Sequence, residues 1–176
     1  MAREMRVASY DPAWPARYEK EACVLRVVLG DVLIRSHHVG STSVPGLPAK
    51  PIIDICLEVR GLGALDARND RMRSLGYVPR GEFGIPGRRY FPKGGDDRTH
   101  HVHAYLAGDP NVGRHLAFRD YLRFHPAVAQ AYAQVKREAS AKHLTDSAGY
   151  QAYKNAFIAR TLEAALAWAA SDYGTD

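Results

Sequence analysis

His38-Val39-Gly40-Ser41-Thr42-Ser43-Val44-Pro45-Gly46-Leu47, followed shortly by Pro51-Ile52-Ile53-Asp54-Ile55-Cys56-Leu57-Glu58-Val59, is the stretch on which the fold turns. The second segment has the plainest strand pattern in the chain. Asp54, Cys56 and Glu58 alternate with Ile53, Ile55, Leu57 and Val59, and this period of two sends one set to each face of a sheet. In the first segment an extended run, Val32 to Val39, ends at Gly40 and three hydroxyl residues. That reads as a strand entering a tight turn, with hydroxyls placed to cap whatever helix follows, and Pro45-Gly46-Leu47-Pro48 stops such a helix at once. Strand, Gly-Ser turn and short helix make a seat for a phosphate, because glycine admits close backbone approach while N–H groups and hydroxyls point outward. Twelve residues separate Ser41 from Asp54. The second strand would therefore bring a carboxylate beside the phosphate, where it can hold a divalent metal. On these residues alone a plainer account stands equally: Ser41, Thr42 and Ser43 cap a helix, and Asp54 is a buried structural polar residue.

On the N-terminal side, Trp14, Tyr18, Ala22, Leu25, Val28 and Leu29 recur at helical spacing, and Gly30 ends the pattern. Beyond the central strand, Gly61 and Gly63 lead into a helix around Ala64 to Leu75, and Gly76-Tyr77 starts a return strand. Arg88 to Phe91 can pair with Thr99 to Leu106 as a hairpin across Gly94-Gly95-Asp96-Asp97. Three helical patterns close the chain: Asn111 to Phe124, Pro126 to His143 and Ser147 to about Ala170. Fraying is expected at 172–176. The pattern is an α/β (α+β) fold, a mixed sheet with helices packed on it and a helical C-terminal third, and the absence of a long linker predicts one domain over 1–176.

Composition narrows the function. With 24 Lys and Arg against 19 Asp and Glu the net charge is +5, which favours an anionic partner. The charges are scattered rather than gathered into a stripe, which argues against a nucleic-acid surface. No run of about twenty apolar residues exists to span a membrane, and Met1 to Arg6 lacks the apolar core of a secretory signal. Cys23 and Cys56 read as reduced thiols within the core. A cytoplasmic protein is expected.

The run His38 to Leu47, with Ala49-Lys50-Pro51-Ile52-Ile53-Asp54-Ile55, resembles the signature of the GrpB family. The likeness continues through Tyr10-Asp11-Pro12, Trp14-Pro15, Thr99 to His103, Leu116 to Arg123 and Tyr150 to Phe157, so it covers nearly the whole chain. It implies a nucleotidyltransferase-like fold, and no firm activity. The family is also described as a dephospho-CoA kinase or protein-folding accessory domain, but this chain has no G-x-x-x-x-G-K-[ST] phosphate loop and is not itself such a kinase. It departs from active nucleotidyltransferases at Cys56, where a second carboxylate is usual. Magnesium prefers hard oxygen ligands, so a thiol is a poor substitute. Glu58 shares the face but stands roughly 13 Å along the strand, too far to share an ion with Asp54.

His101 and His103 lie two apart on a predicted strand, so their imidazoles face the same way. If that strand neighbours the Asp54 strand, the three form a mixed nitrogen and oxygen site for a divalent metal, Mg²⁺ or Mn²⁺ or else Zn²⁺. His100 faces away, and one of His37 and His38 must face the site side. Basic residues complete an anion pocket, with Lys50, Arg119 and Lys154 favoured over Arg88, Arg89, Lys93 and Arg123. Tyr and Trp in the helices read as core rather than as a base-stacking platform.

The expected site is therefore Asp54, His101 and His103 as catalytic and metal residues, with Gly40, Ser41, Thr42, Ser43, Lys50, Arg119 and Lys154 around the phosphates of a nucleotide or other phosphorylated small molecule. Three functions fit: nucleotidyl transfer, a non-catalytic nucleotide- or CoA-related binding module, and a metal-dependent phosphohydrolase using Asp54, His101 and His103.

Overall fold

The alternation at 53–59 becomes β2 (Ile53–Val59), the strand around which the rest is arranged. The computed structural model describes residues 4–172. β1 (Leu33–Val39) pairs antiparallel with β2, and β4 (His100–Leu106) pairs parallel with it on the other side. β3 (Arg89–Lys93) lies antiparallel beyond β4, giving a mixed four-stranded sheet in the order β1-β2-β4-β3.

One face of the sheet is apolar. Ile53, Ile55, Leu57 and Val59 of β2, with Val102, Ala104 and Phe91, pack on α1 (Trp14–Leu29). That helix buries Trp14, Tyr18, Ala22, Leu25 and Leu29, residues spaced three or four apart, and Gly30 ends it at φ +56°. Each fully buried large side chain of this kind contributes roughly 1.5–3 kcal/mol. Cys23 falls one residue off the buried stripe and is exposed, contrary to the expectation of a core thiol; Cys56 is buried as expected.

The helix expected at 64–75 is two short ones, α2 (Leu62–Asp66) and α3 (Asn69–Ser74), divided where the Arg68 N–H donates to Leu65 O. The predicted return strand at Gly76-Tyr77 is only a bridge between Tyr77 and Lys93. Val78 and Arg80 still donate to Pro92 O and Tyr90 O, at 2.9 Å each. Pro92 has no N–H to give back, so the exchange with Val78 is one-sided, and the Tyr90 N–H returns its bond to Gly81 O, at 2.9 Å, rather than to Arg80 O.

The opposite face carries the polar residues of β2 and β4. α4 (Pro110–Phe124), capped by the Asp109 carboxylate accepting from the Asn111 N–H at 2.8 Å, covers one end of it by packing Val112 on Val39, Cys56 and Tyr105. α5 (Pro126–Lys142) and α6 (Ser147–Asp172) then pack with α4, burying Leu122, Tyr132 and Ala133 against Val44 and Leu47. The end of the sheet that carries Asp54 and His101 is left facing α5 and α6 across open space. The fraying expected at the C-terminus falls on 173–176, outside the described residues, and residue 172 is still helical. No described helix is long and apolar enough to cross a membrane.

Candidate functional site

The parallel register of β2 and β4 sets Asp54 beside His101 and Cys56 beside His103. Asp54 Oδ1 lies 3.3 Å from both His101 Nδ1 and His103 Nε2. The three donors stand within 4.8 Å of one another, the one such group of His, Cys, Asp or Glu among the described residues. Burial alone would raise the Asp54 carboxyl, but hydrogen bonds from both imidazoles outweigh it and hold the group well below the usual carboxylate range. His101 Nε2 is buried without a hydrogen-bond partner among the described residues, an orphan that native structures leave only for a reason.

Gly40 closes the site from the β1 side. Its φ is +71°, and a Cβ there would stand 2.7 Å from Asp54 Oδ2. Only glycine both adopts that backbone and lets the carboxylate come so near. The turn that follows is a single 3-10 turn, Ser41–Ser43, with no side-chain cap, so the expected capping role of the hydroxyls is not realised. Thr42 Oγ1 is instead 3.0 Å from His38 Nε2, and the Ser43 hydroxyl donates to Gly40 O.

A cavity of about 600 Å³ opens over these groups. Gly40, Ser41, Thr42, Lys50, Asp54, His101, His103 and Lys154, all expected from the sequence, line it together. Two expected residues do not. Ser43 is buried, and its carbonyl accepts from Arg123 Nε and Nη2 at 3.0 and 2.7 Å. Arg119 gives its fork to the neighbouring Asp120, at 2.7 and 3.1 Å, and its remaining arm to His38 O at 3.2 Å. The two histidines before the turn are also engaged elsewhere: His38 stacks on Tyr18 at 4.8 Å, and His37 Nε2 lies 2.7 Å from Glu58 Oε1. Arg89 pairs with Asp66, and Lys93 with Glu21.

The cavity is more cationic than the sequence suggests. Arg88, Arg98 and Lys136 join Lys50 and Lys154 around the single carboxylate of Asp54. Lys136 Nζ sits 4.6 Å over the Tyr132 ring and donates to Pro48 O, while Lys154 and Lys50 stand 4.3 and 4.6 Å over the Tyr150 ring. Burial, then repulsion from Lys154, pushes Lys136 down to about 7; burial and Lys50 push Lys154 down to about 8. Neither is in an ion pair among the described residues, although Lys136 and Lys154 are only 2% and 7% exposed. Like charges gathered in excess of carboxylates are costly until an anion arrives. Tyr132 and Tyr150, expected to be core, are indeed buried but also line the cavity.

Cys56 cannot replace the second carboxylate. It is fully buried among Val39, Tyr105 and Val112, and burial pushes its thiol up to about 12. His115 lies behind His103 at 5.3 Å between rings, and burial pushes it down to about 4, so it stays neutral.

Comparison with known proteins agrees with this architecture. The chain is 44% identical over 166 residues to UPF0157 protein YqkA of Bacillus subtilis (strain 168), covering 94% of this chain but 48% of that protein, about half its length. The crystal structure of the conserved protein GrpB from Enterococcus faecalis superimposes with a TM-score of 0.87 at 42% identity, over 92% of this chain and 97% of that one. At 14% identity, terminal uridylyl transferase 4 from Trypanosoma brucei with bound dUTP shares the fold at a TM-score of 0.54, over 88% of this chain and 53% of that one. The profile of the GrpB protein family matches residues 4–164, and the chain therefore belongs to the GrpB family, on a fold of the nucleotidyltransferase type.

Proposed function

We propose that the cavity binds a nucleotide, or a phosphorylated small molecule of that kind, together with a divalent metal ion, and that the chain transfers a nucleotidyl group. The observation that carries this reading is the placing of Asp54, His101 and His103 beneath the cations Lys50, Arg88, Arg98, Lys136 and Lys154 in one cavity. Lysines meet phosphate as point charges and arginines as forks. The bound dUTP of the uridylyl transferase supports a nucleotide as the ligand class for this fold.

The donor set fits a divalent ion. Asp54 supplies an ionised oxygen, two imidazoles supply nitrogen, and the orphaned His101 Nε2 has a lone pair or proton to offer. Nitrogen donors favour Mn²⁺ or Zn²⁺ over Mg²⁺. When bound, such an ion polarises a phosphoryl oxygen and lowers the pKa of an attacking hydroxyl. The chain's own residues do the rest. The lysines neutralise phosphate charge, and the close Gly40 turn keeps the carboxylate in place.

The nitrogen-rich donors and the protonated Cys56 also favour a second reading, a metal-dependent phosphohydrolase built on the same three residues. Incubation with nucleoside triphosphate and Mn²⁺ separates the readings. Pyrophosphate release with a nucleotidylated product is expected for transfer, and orthophosphate release for hydrolysis. Binding without turnover indicates a module that has lost catalysis. Absence of binding contradicts the assignment of the cavity.

A further inference from the structure

Among the described residues, Phe83 is the one non-glycine residue with positive φ, at +45°. It is also 62% exposed. A bulky side chain in the left-handed region is strained, and such strain persists only where the surroundings impose it, commonly at binding sites. Here the buried Arg88 imposes it. Its Nη2 donates to Phe83 O at 2.7 Å and its Nε to Glu82 O at 3.1 Å, while the Gly87 N–H donates to Glu82 Oε1 at 2.7 Å. The strained turn is thus braced by the same guanidinium that lies 3.5 Å from His103 Nδ1.

The Phe83 ring stacks on Tyr90 at 5.2 Å and 23°. Tyr90 in turn stands 5.6 Å from the His101 ring and 5.4 Å from the His103 ring. A run of rings therefore leads from an exposed phenyl to the Asp54 centre, and Phe83, Ile85 and Tyr90 all line the cavity. On the helical wall of the same cavity are Lys136 and Lys154. One cavity thus offers an exposed aromatic surface and a bed of cations, with the carboxylate sharing both neighbourhoods.

We propose that Phe83 is the platform on which the base of a nucleoside polyphosphate stacks, the loop 81–87 being the base-binding element and the lysines receiving the phosphate tail. The proposal rests on the reading of the cavity as a nucleotide site and adds which part of the chain holds the base. Stacking on a phenyl ring accepts any base, since every base has a π-face. ATP and UTP should therefore both bind.

The test is calorimetric titration with ATP, UTP and inorganic tripolyphosphate, each with Mn²⁺, against the wild type, Phe83→Asn and Phe83→Trp. Asn tolerates the left-handed backbone, so Phe83→Asn removes the ring while leaving the turn intact. The expected result is that it weakens ATP and UTP by roughly 5- to 100-fold, the range for loss of one stack, leaves tripolyphosphate within about twofold, and that Phe83→Trp retains nucleotide binding. Equal weakening of all three ligands, or of none, would overturn the platform while sparing the anion site. No tripolyphosphate binding by the wild type would overturn the reading of the cavity and the platform with it.

Discussion

Gly40 and Asp54 pack so closely that a Cβ on Gly40 would stand 2.7 Å from Asp54 Oδ2. Gly40→Ala should therefore both strain the backbone and displace the carboxylate. We expect a loss of about 1–3 kcal/mol in urea denaturation, with weakened Mn²⁺ binding. Gly46 is the comparison, having φ +78° and nothing within 4 Å of the place a Cβ would occupy. Gly46→Ala should cost only the backbone strain, about 1 kcal/mol, and leave metal binding unchanged.

Lys136 sets a pH dependence. Its ordinary value of 10.5 is pushed down to about 7, first by burial and then by Lys154. Between those values the unfolded chain holds a proton that the folded chain does not, so this lysine's penalty is full below about pH 7 and fades as pH rises toward 10.5. An anion reverses the preference by favouring the ammonium. Tripolyphosphate binding at pH 8 should therefore take up protons and weaken at higher pH. Calorimetry in two buffers of different ionisation enthalpy measures the uptake, which Lys136→Met should reduce.

Cys56→Asp restores the spacing of a paired carboxylate without restoring a site. The side chain is fully buried beneath Val112, so a charge there is cut off from solvent, and the carboxylates of Glu58 and Asp109 already disfavour a negative charge at this position. A destabilisation of roughly 2–5 kcal/mol is expected, with no gain in Mn²⁺ affinity. Tighter Mn²⁺ binding in this variant would show that Cys56 faces the ion after all.

Arg119 and Lys154 should separate stability from binding. Arg119 braces Asp120 and His38 O, so Arg119→Ala should lower stability by about 1–3 kcal/mol and leave tripolyphosphate affinity within about twofold. Lys154→Ala removes a buried cation and should weaken tripolyphosphate at least about tenfold while unfolding no earlier. Melting curves and titrations of both variants check the pair.

The sheet and the heart of the site were legible because they depend on local periodicity. Alternation at 53–59 and the two-residue spacing of His101 and His103 assign faces without any tertiary knowledge. The remainder depends on choices between partners that only packing makes. Arg119 was available to an anion in sequence, but Asp120 beside it took the fork. Lys136 was not among the basic residues singled out from the sequence, although it falls on the buried stripe of α5 with Tyr132 and Ala139, and the docking of α5 over Pro48 turns it inward. Arg88 was one candidate among several basic residues, and its bonds to the carbonyls of Glu82 and Phe83 belong to a turn that no periodicity announces. The return strand at Tyr77 failed in part for a reason that was visible, the missing N–H of Pro92, but only once the pairing was known.

Electron paramagnetic resonance of Mn²⁺, titrated into the protein with and without ATP, tests the central claim most directly. The wild type should quench the free-ion signal and quench it further with ATP, and Asp54→Asn and His101→Ala/His103→Ala should restore it. Equal quenching by wild type and Asp54→Asn would contradict a metal-supported nucleotide site at Asp54.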